Sequence, residues 1–132
     1  DLMPWEVNGT QQRYTTKAKG FSVFVSEDNP YYKQSLVCAQ SIANSLMDAG
    51  FFPNYYHYFN NPKGNFKLLY GDLPVYNYNK LVVLKNNEIP AILVEAGVIL
   101  NPQEAVEFKN NVYRTKFAVA TAKGLRKCLN DK

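Results

Sequence analysis

The chain has 132 residues, 46% of them hydrophobic and 20% charged, with a net charge of +4. That length suits one domain with a sizeable core, and no apolar run reaches transmembrane length. Lys and Arg never cluster beyond a pair, so the basic excess reads as a solvated surface and nucleic acid is not an expected partner.

The chain opens on Asp1, with no signal peptide, as expected of a mature or trimmed product. Residues 1–19 are polar and rich in Thr, Gln and Lys, and they read as a loop or insertion that Trp5 packs down. Phe21 to Val25 is predicted to be a strand. Asn29-Pro30 has the form of an N-cap followed by a first-turn proline. The helix that follows runs from about Tyr31 to Ala49. Leu36, Ala39, Ile42, Ala43 and Leu46 form its apolar stripe, and Gly50 ends it.

Residues 51–79 hold six of the ten tyrosines and the chain's one histidine, His57. No helical period survives there. We read loops with one or two short strands, the first at Tyr55 to Phe59. The rings either cover the core or line a glycan or peptide groove, since Tyr offers an apolar face and a polar tip. Tyr56, Tyr76 and Tyr78 are the candidate groove residues. His57 has no metal-binding partner at a useful spacing, so the favoured reading is a ring packed among tyrosines with its nitrogens hydrogen-bonded.

Leu81 to Leu84 and Ala91 to Glu95 are predicted to be buried strands. Pro90 and Gly97 bracket the second, which favours a fully buried parallel strand over a helix. Ala91, Leu93 and Glu95 then share one face, and Ile92 and Val94 the other. Glu95 closes this apolar run at its carboxyl end, where open α/β sheets build their sites. A carboxylate there is costly unless it is paired, hydrogen-bonded or near a metal. Asn101 is the predicted N-cap of a short helix, with Glu104 placed to complete a capping box. The last helix runs from about Val112 to Leu129, with Ala118, Ala122, Leu125 and Leu129 as its buried stripe. Cys38 and Cys128 fall in predicted helices. Two buried free thiols are expected, although pairing in an oxidising compartment stays open because sequence does not show proximity. Strands separated by helices give an α/β fold with a largely parallel twisted sheet.

Three segments carry a family resemblance. Pro90 to Gly97, followed by Asn101-Pro102 and Glu104, resembles the signature of zinc-dependent N-acetylmuramoyl-L-alanine amidases of the amidase-3 type. Gly20 to Ser26 resembles the family's strand after its last zinc histidine. Leu81 to Lys85 resembles the strand before the glutamate strand. The resemblance runs from about Gly20 to the end of the chain. It implies a C-terminal portion of the catalytic domain over residues 20–132, lacking the N-terminal part.

By the same resemblance, Glu95 is the general acid/base of an amide hydrolysis. The bond cut would join N-acetylmuramic acid to L-alanine of the peptidoglycan stem peptide. Zinc is the implied cofactor, with ligands expected upstream of this chain, and no metal ligand is assigned within it. Peptidoglycan is the implied substrate, in the periplasm or outside a bacterial cell. An upstream fragment of the same domain is a candidate partner, because absent strands would leave a sheet edge free. The rival reading is a non-catalytic wall-binding or regulatory module with the same fold.

Overall fold

In the computed structural model, which describes residues 2–7 and 9–130, eleven elements follow one another along the chain. Strands β1 (Met3–Val7) and β2 (Thr10–Tyr14) form an antiparallel hairpin, with Met3 opposite Tyr14 and Val7 opposite Thr10. The expected loop over residues 1–19 is thus a hairpin for most of its length. Gly9, at a φ of 75°, takes a left-handed conformation that suits a tight turn. The side chain of Trp5 lies outside the described residues.

The main sheet has four strands in the order β4 (Lys67–Leu68), β5 (Val75–Asn77), β3 (Ser22–Val25), β6 (Leu93–Glu95). β3 is buried throughout because both faces of the sheet are covered. On one face, Val23, Val25 and Val75 meet helix α1 (Tyr32–Asp48) through Ala39, Ile42, Ala43 and Leu46. On the other, Phe24, Tyr76 and Leu84 form a second cluster with Phe66, Tyr78 and Leu93. The expected alternation of the glutamate strand holds: Ile92 and Val94 join the first cluster, Ala91 and Leu93 the second.

The fold is α/β, but the sheet is mixed rather than largely parallel. Only β3 and β5 run parallel; β4 is antiparallel to β5 and β6 antiparallel to β3. β6 is accordingly a half-buried antiparallel edge strand, not the fully buried parallel one expected. The predicted strand at Leu81 to Leu84 is instead a single helical turn, α3 (Val82–Lys85), with Val82 and Val83 exposed and Leu84 buried. Both edges of β5 are already taken, by β4 and β3. Three residues of connection are also too few for a parallel crossover, which needs a dozen or more. The predicted strand at Tyr55 to Phe59 is likewise a helical turn, α2 (Tyr56–Phe59). The Asn54 side chain accepts the Tyr56 N–H at 2.9 Å and bends the chain into that turn.

Helix α4 (Pro102–Glu107) starts where predicted, and helix α5 (Asn111–Asn130) packs along α1. Its buried stripe differs from the one expected. Ala120, Gly124 and Cys128 face α1, while Ala118, Ala122, Leu125 and Leu129 are exposed. Ser41 and Ser45 of α1 donate to the carbonyls of Gly124 and Ala120 at 2.8 and 2.7 Å. This close approach brings Cys38 and Cys128 to a Cα separation of 5.0 Å, and they form a disulfide instead of two free thiols.

Candidate functional site

Glu95 ends β6 and pairs with Ser22, the first residue of β3. Because β6 runs against its neighbour, its carboxyl end lies beside the amino end of β3, not among the carboxyl ends of parallel strands. The Glu95 side chain is 43% exposed and reaches into a cleft of about 450 Å³. Asn54, Tyr56 and His57 from the segment around α2 line it, together with Gly97, Val98, Ile99 and Leu100 from the loop after β6.

Opposite Glu95 stands His57, with Nε2 3.5 Å from the carboxylate oxygen Oε2. The imidazole is one-quarter exposed and fixed by aromatic rings. Its centroid lies 4.7 Å from that of Phe66, 5.5 Å from Phe24 and 5.8 Å from Tyr76. The turn that carries it is anchored from below. Asn54 donates its N–H to the Phe21 carbonyl at 2.8 Å, and the Tyr76 hydroxyl donates to the Asn54 carbonyl at 2.9 Å. Burial pushes the Tyr76 phenol well above its ordinary range, since the phenolate would lose its hydration.

The loop after Glu95 is tied to the segment before β3. Buried Glu104 accepts the Gly20 N–H at 2.6 Å and the Val98 N–H at 2.7 Å. Asn101 caps α4 by accepting from the N–H groups of Gln103 and Glu104, and its Nδ2 donates to the Ala18 carbonyl at 3.0 Å. The capping box is therefore only half made, because Glu104 spends its oxygens on the two neighbouring segments. Gly97 packs closely against the next helix: a Cβ would lie 2.6 Å from the Phe108 ring, which would have to shift to admit it. Gly20, at a φ of 91°, would drive a Cβ into the Phe52 carbonyl. The Val-Glu-Ala-Gly run and its distant Asn and Glu are thus one piece of scaffolding that holds the Glu95 loop.

Of the three tyrosines expected in a groove, Tyr56 lines the Glu95 cleft. Tyr76 is fully buried beneath it and supports α2. Tyr78 packs on Phe66 in the second cluster, with ring centroids 4.5 Å apart, and does not line the cleft. His57 is the residue that sequence reasoning set aside. It is indeed packed among aromatic rings, but its remaining edge faces the acid. The signal available was thin: the sole histidine of a chain with one acid in an apolar strand. Among the described residues, no group of three or more His, Cys, Asp or Glu side chains could hold a metal ion. His57 and Glu95 make only a pair, and both cysteines are bonded to each other.

Fold and site together define a mixed α/β domain with an acid at a strand end. The family model for N-acetylmuramoyl-L-alanine amidase matches residues 10–127, and the chain belongs to that family. Similar solved structures include the N-acetylmuramyl-L-alanine amidase Ami1 of Mycobacterium smegmatis, with a TM-score of 0.73 and 21% identity over 91% of this chain and 52% of that one. The apo form of Ami1 from Mycobacterium abscessus has a TM-score of 0.70 and 23% identity over 89% of this chain and 52% of that one. The CwlD amidase of Clostridioides difficile, solved in complex with the GerS lipoprotein, has a TM-score of 0.65 and 21% identity over 91% and 53%. The chain therefore spans about half the length of the solved structures it resembles. No curated protein matches the sequence.

Proposed function

We propose that this chain carries the general acid/base of a peptidoglycan amidase, and that Glu95 is that group. The observation that supports this most directly is the position of Glu95 in the family's motif, partly exposed at the mouth of a cleft. The Glu95 carboxylate takes a proton from the attacking water. The water oxygen bonds to the lactyl carbonyl carbon of N-acetylmuramic acid. The carbon–nitrogen bond to L-alanine breaks, and Glu95 returns the proton to the departing amine. Tyr56, with its ring beside the cleft, contacts the glycan or stem peptide.

The zinc implied by the resemblance finds no ligand set among the described residues. Its ligands lie, on this reading, outside these residues. The candidate partner, an upstream fragment of the same domain, would supply them. The disulfide between α1 and α5 supports work in an oxidising compartment, the periplasm or the cell exterior. No helix among the described residues is long and apolar enough to cross a membrane.

The test is Glu95→Gln in the full-length protein. Loss of general acid/base catalysis should cut stem-peptide release by about 10²–10⁴-fold. Zinc content, measured by metal mass spectrometry, should not change. Near-normal turnover would remove Glu95 from the mechanism. Peptidoglycan binding without any stem-peptide release by the unmutated protein would favour the non-catalytic module.

A further inference from the structure

We propose that His57 is a positioning residue for Glu95, donating Nε2–H to the carboxylate and leaving its second oxygen for the reacting water; this rests on the amidase reading above. The two groups come from different elements and both line the cleft. Glu95 lies at the end of β6, and His57 on the turn α2. The 3.5 Å between Nε2 and Oε2 is long for a hydrogen bond, as catalytic contacts often are before substrate binds.

Two observations separate this role from simple packing. First, the ring is locked by neighbours on its other sides. Phe66, Phe24 and Tyr76 surround it at centroid distances of 4.7, 5.5 and 5.8 Å, and the open edge faces Glu95. Second, the turn that aims the ring is itself built from buried groups. Asn54 is 2% exposed, and it accepts the Tyr76 hydroxyl on its carbonyl and the Tyr56 N–H on its side chain. A rigid donor is what a flexible Glu side chain needs, because its rotamer freedom otherwise spreads the base over many positions. An apolar side chain would fill the same space without supplying the N–H.

The experiment uses the full-length, zinc-loaded protein and a soluble glycan–peptide substrate, with kcat and KM resolved. His57→Phe keeps a ring in the aromatic nest and removes the donor. It should lower kcat by about 10–100-fold, the scale of a misplaced catalytic group. KM, zinc content and melting temperature should stay near the unmutated values. His57→Gln retains an N–H of similar reach and should keep most of kcat. In a Glu95→Gln background, His57→Phe should add almost nothing, since its effect passes through Glu95. If the phenylalanine does not fold, His57→Leu takes its place. Unchanged kcat in His57→Phe would overturn the proposal. So would equal losses in the Phe and Gln variants, or a His57→Phe loss that persists in full without Glu95. The two readings fail separately: a fully active Glu95→Gln variant sinks the amidase role of Glu95, whereas a crippled one beside an active His57→Phe sinks only the role of His57.

Discussion

Tyr76 shows how a single side chain links core and site. Its ring stacks on Phe24 at 5.5 Å, and its hydroxyl holds the Asn54 carbonyl from which α2 springs. Tyr76→Phe leaves that carbonyl without its donor and should cost roughly 1 kcal/mol, the net value of one buried hydrogen bond. A lower urea midpoint with unchanged slope would register it. The pH dependence follows from the raised phenol. Burial favours the protonated form, so the folded state holds this proton to higher pH than the unfolded state. Stability is intact below the ordinary phenol value of about 10 and falls as pH rises beyond it. Tyr32, Tyr55, Tyr70 and Tyr113 are raised as well, chiefly by burial, so Tyr76→Phe should flatten the alkaline decline only in part. At this scale Glu95 stands out in the sequence as the acid that closes an apolar run, although on a half-buried edge strand it is 43% exposed and not the buried carboxylate expected. His57 does not stand out. Its place beside Glu95 depends on how the whole aromatic segment folds, and alternation among tyrosines imitates a strand.

Among the elements, helices α1 and α5 were read correctly to within a residue or two at their ends, but the buried face of α5 was not. Periodicity gave weight to Leu125 and Leu129, which are 42% and 52% exposed. The contact is made instead by Ala120, Gly124 and Cys128, whose small side chains let the two backbones approach. Hydrophobicity marks large residues, whereas close helix packing selects small ones, and a single sequence does not say which rule governs. The same limit explains the short strands. β4, β5 and β6 have only two or three residues each, too few for a period to emerge; β5 and β6 pair with the two edges of β3, and β4 with the remaining edge of β5. Gly124 gives the element-scale prediction. A Cβ at this position would stand 2.6 Å from Ile42 Cα and 2.7 Å from the Ser41 carbonyl. Gly124→Ala must therefore push α5 off α1, at about 1–3 kcal/mol for overpacking. The gain in helix propensity returns up to about 1 kcal/mol. A net loss should appear as a lower melting temperature. An unchanged or higher value would mean that the helices separate without cost.

Across the whole molecule, the sheet divides its labour between two faces. One meets α1 and α5 and carries most of the aliphatic core; the other carries the aromatic cluster, His57 and the acid. The Cys38–Cys128 disulfide belongs to the first face and closes a loop of 90 residues in sequence separation. Such a cross-link removes conformations mainly from the unfolded chain, and loops of this size are worth roughly 2–5 kcal/mol. Paired Cys38→Ala and Cys128→Ala substitutions should lose stability on that scale, read as a lower midpoint in urea. Reductant should shift the unmutated protein in the same direction and leave the double variant where it is. The His57–Glu95 pair should be spared under conditions where the reduced protein stays folded. Its supports run through Asn54, Tyr76 and Glu104, none of which touches either cysteine by a hydrogen bond. A reduced but folded protein that kept its stability would mean that the small-residue contact between α1 and α5 already closes this face. Loss of site function before loss of fold would mean that the two faces are coupled through β3, β5 and β6, each of which sends side chains to both.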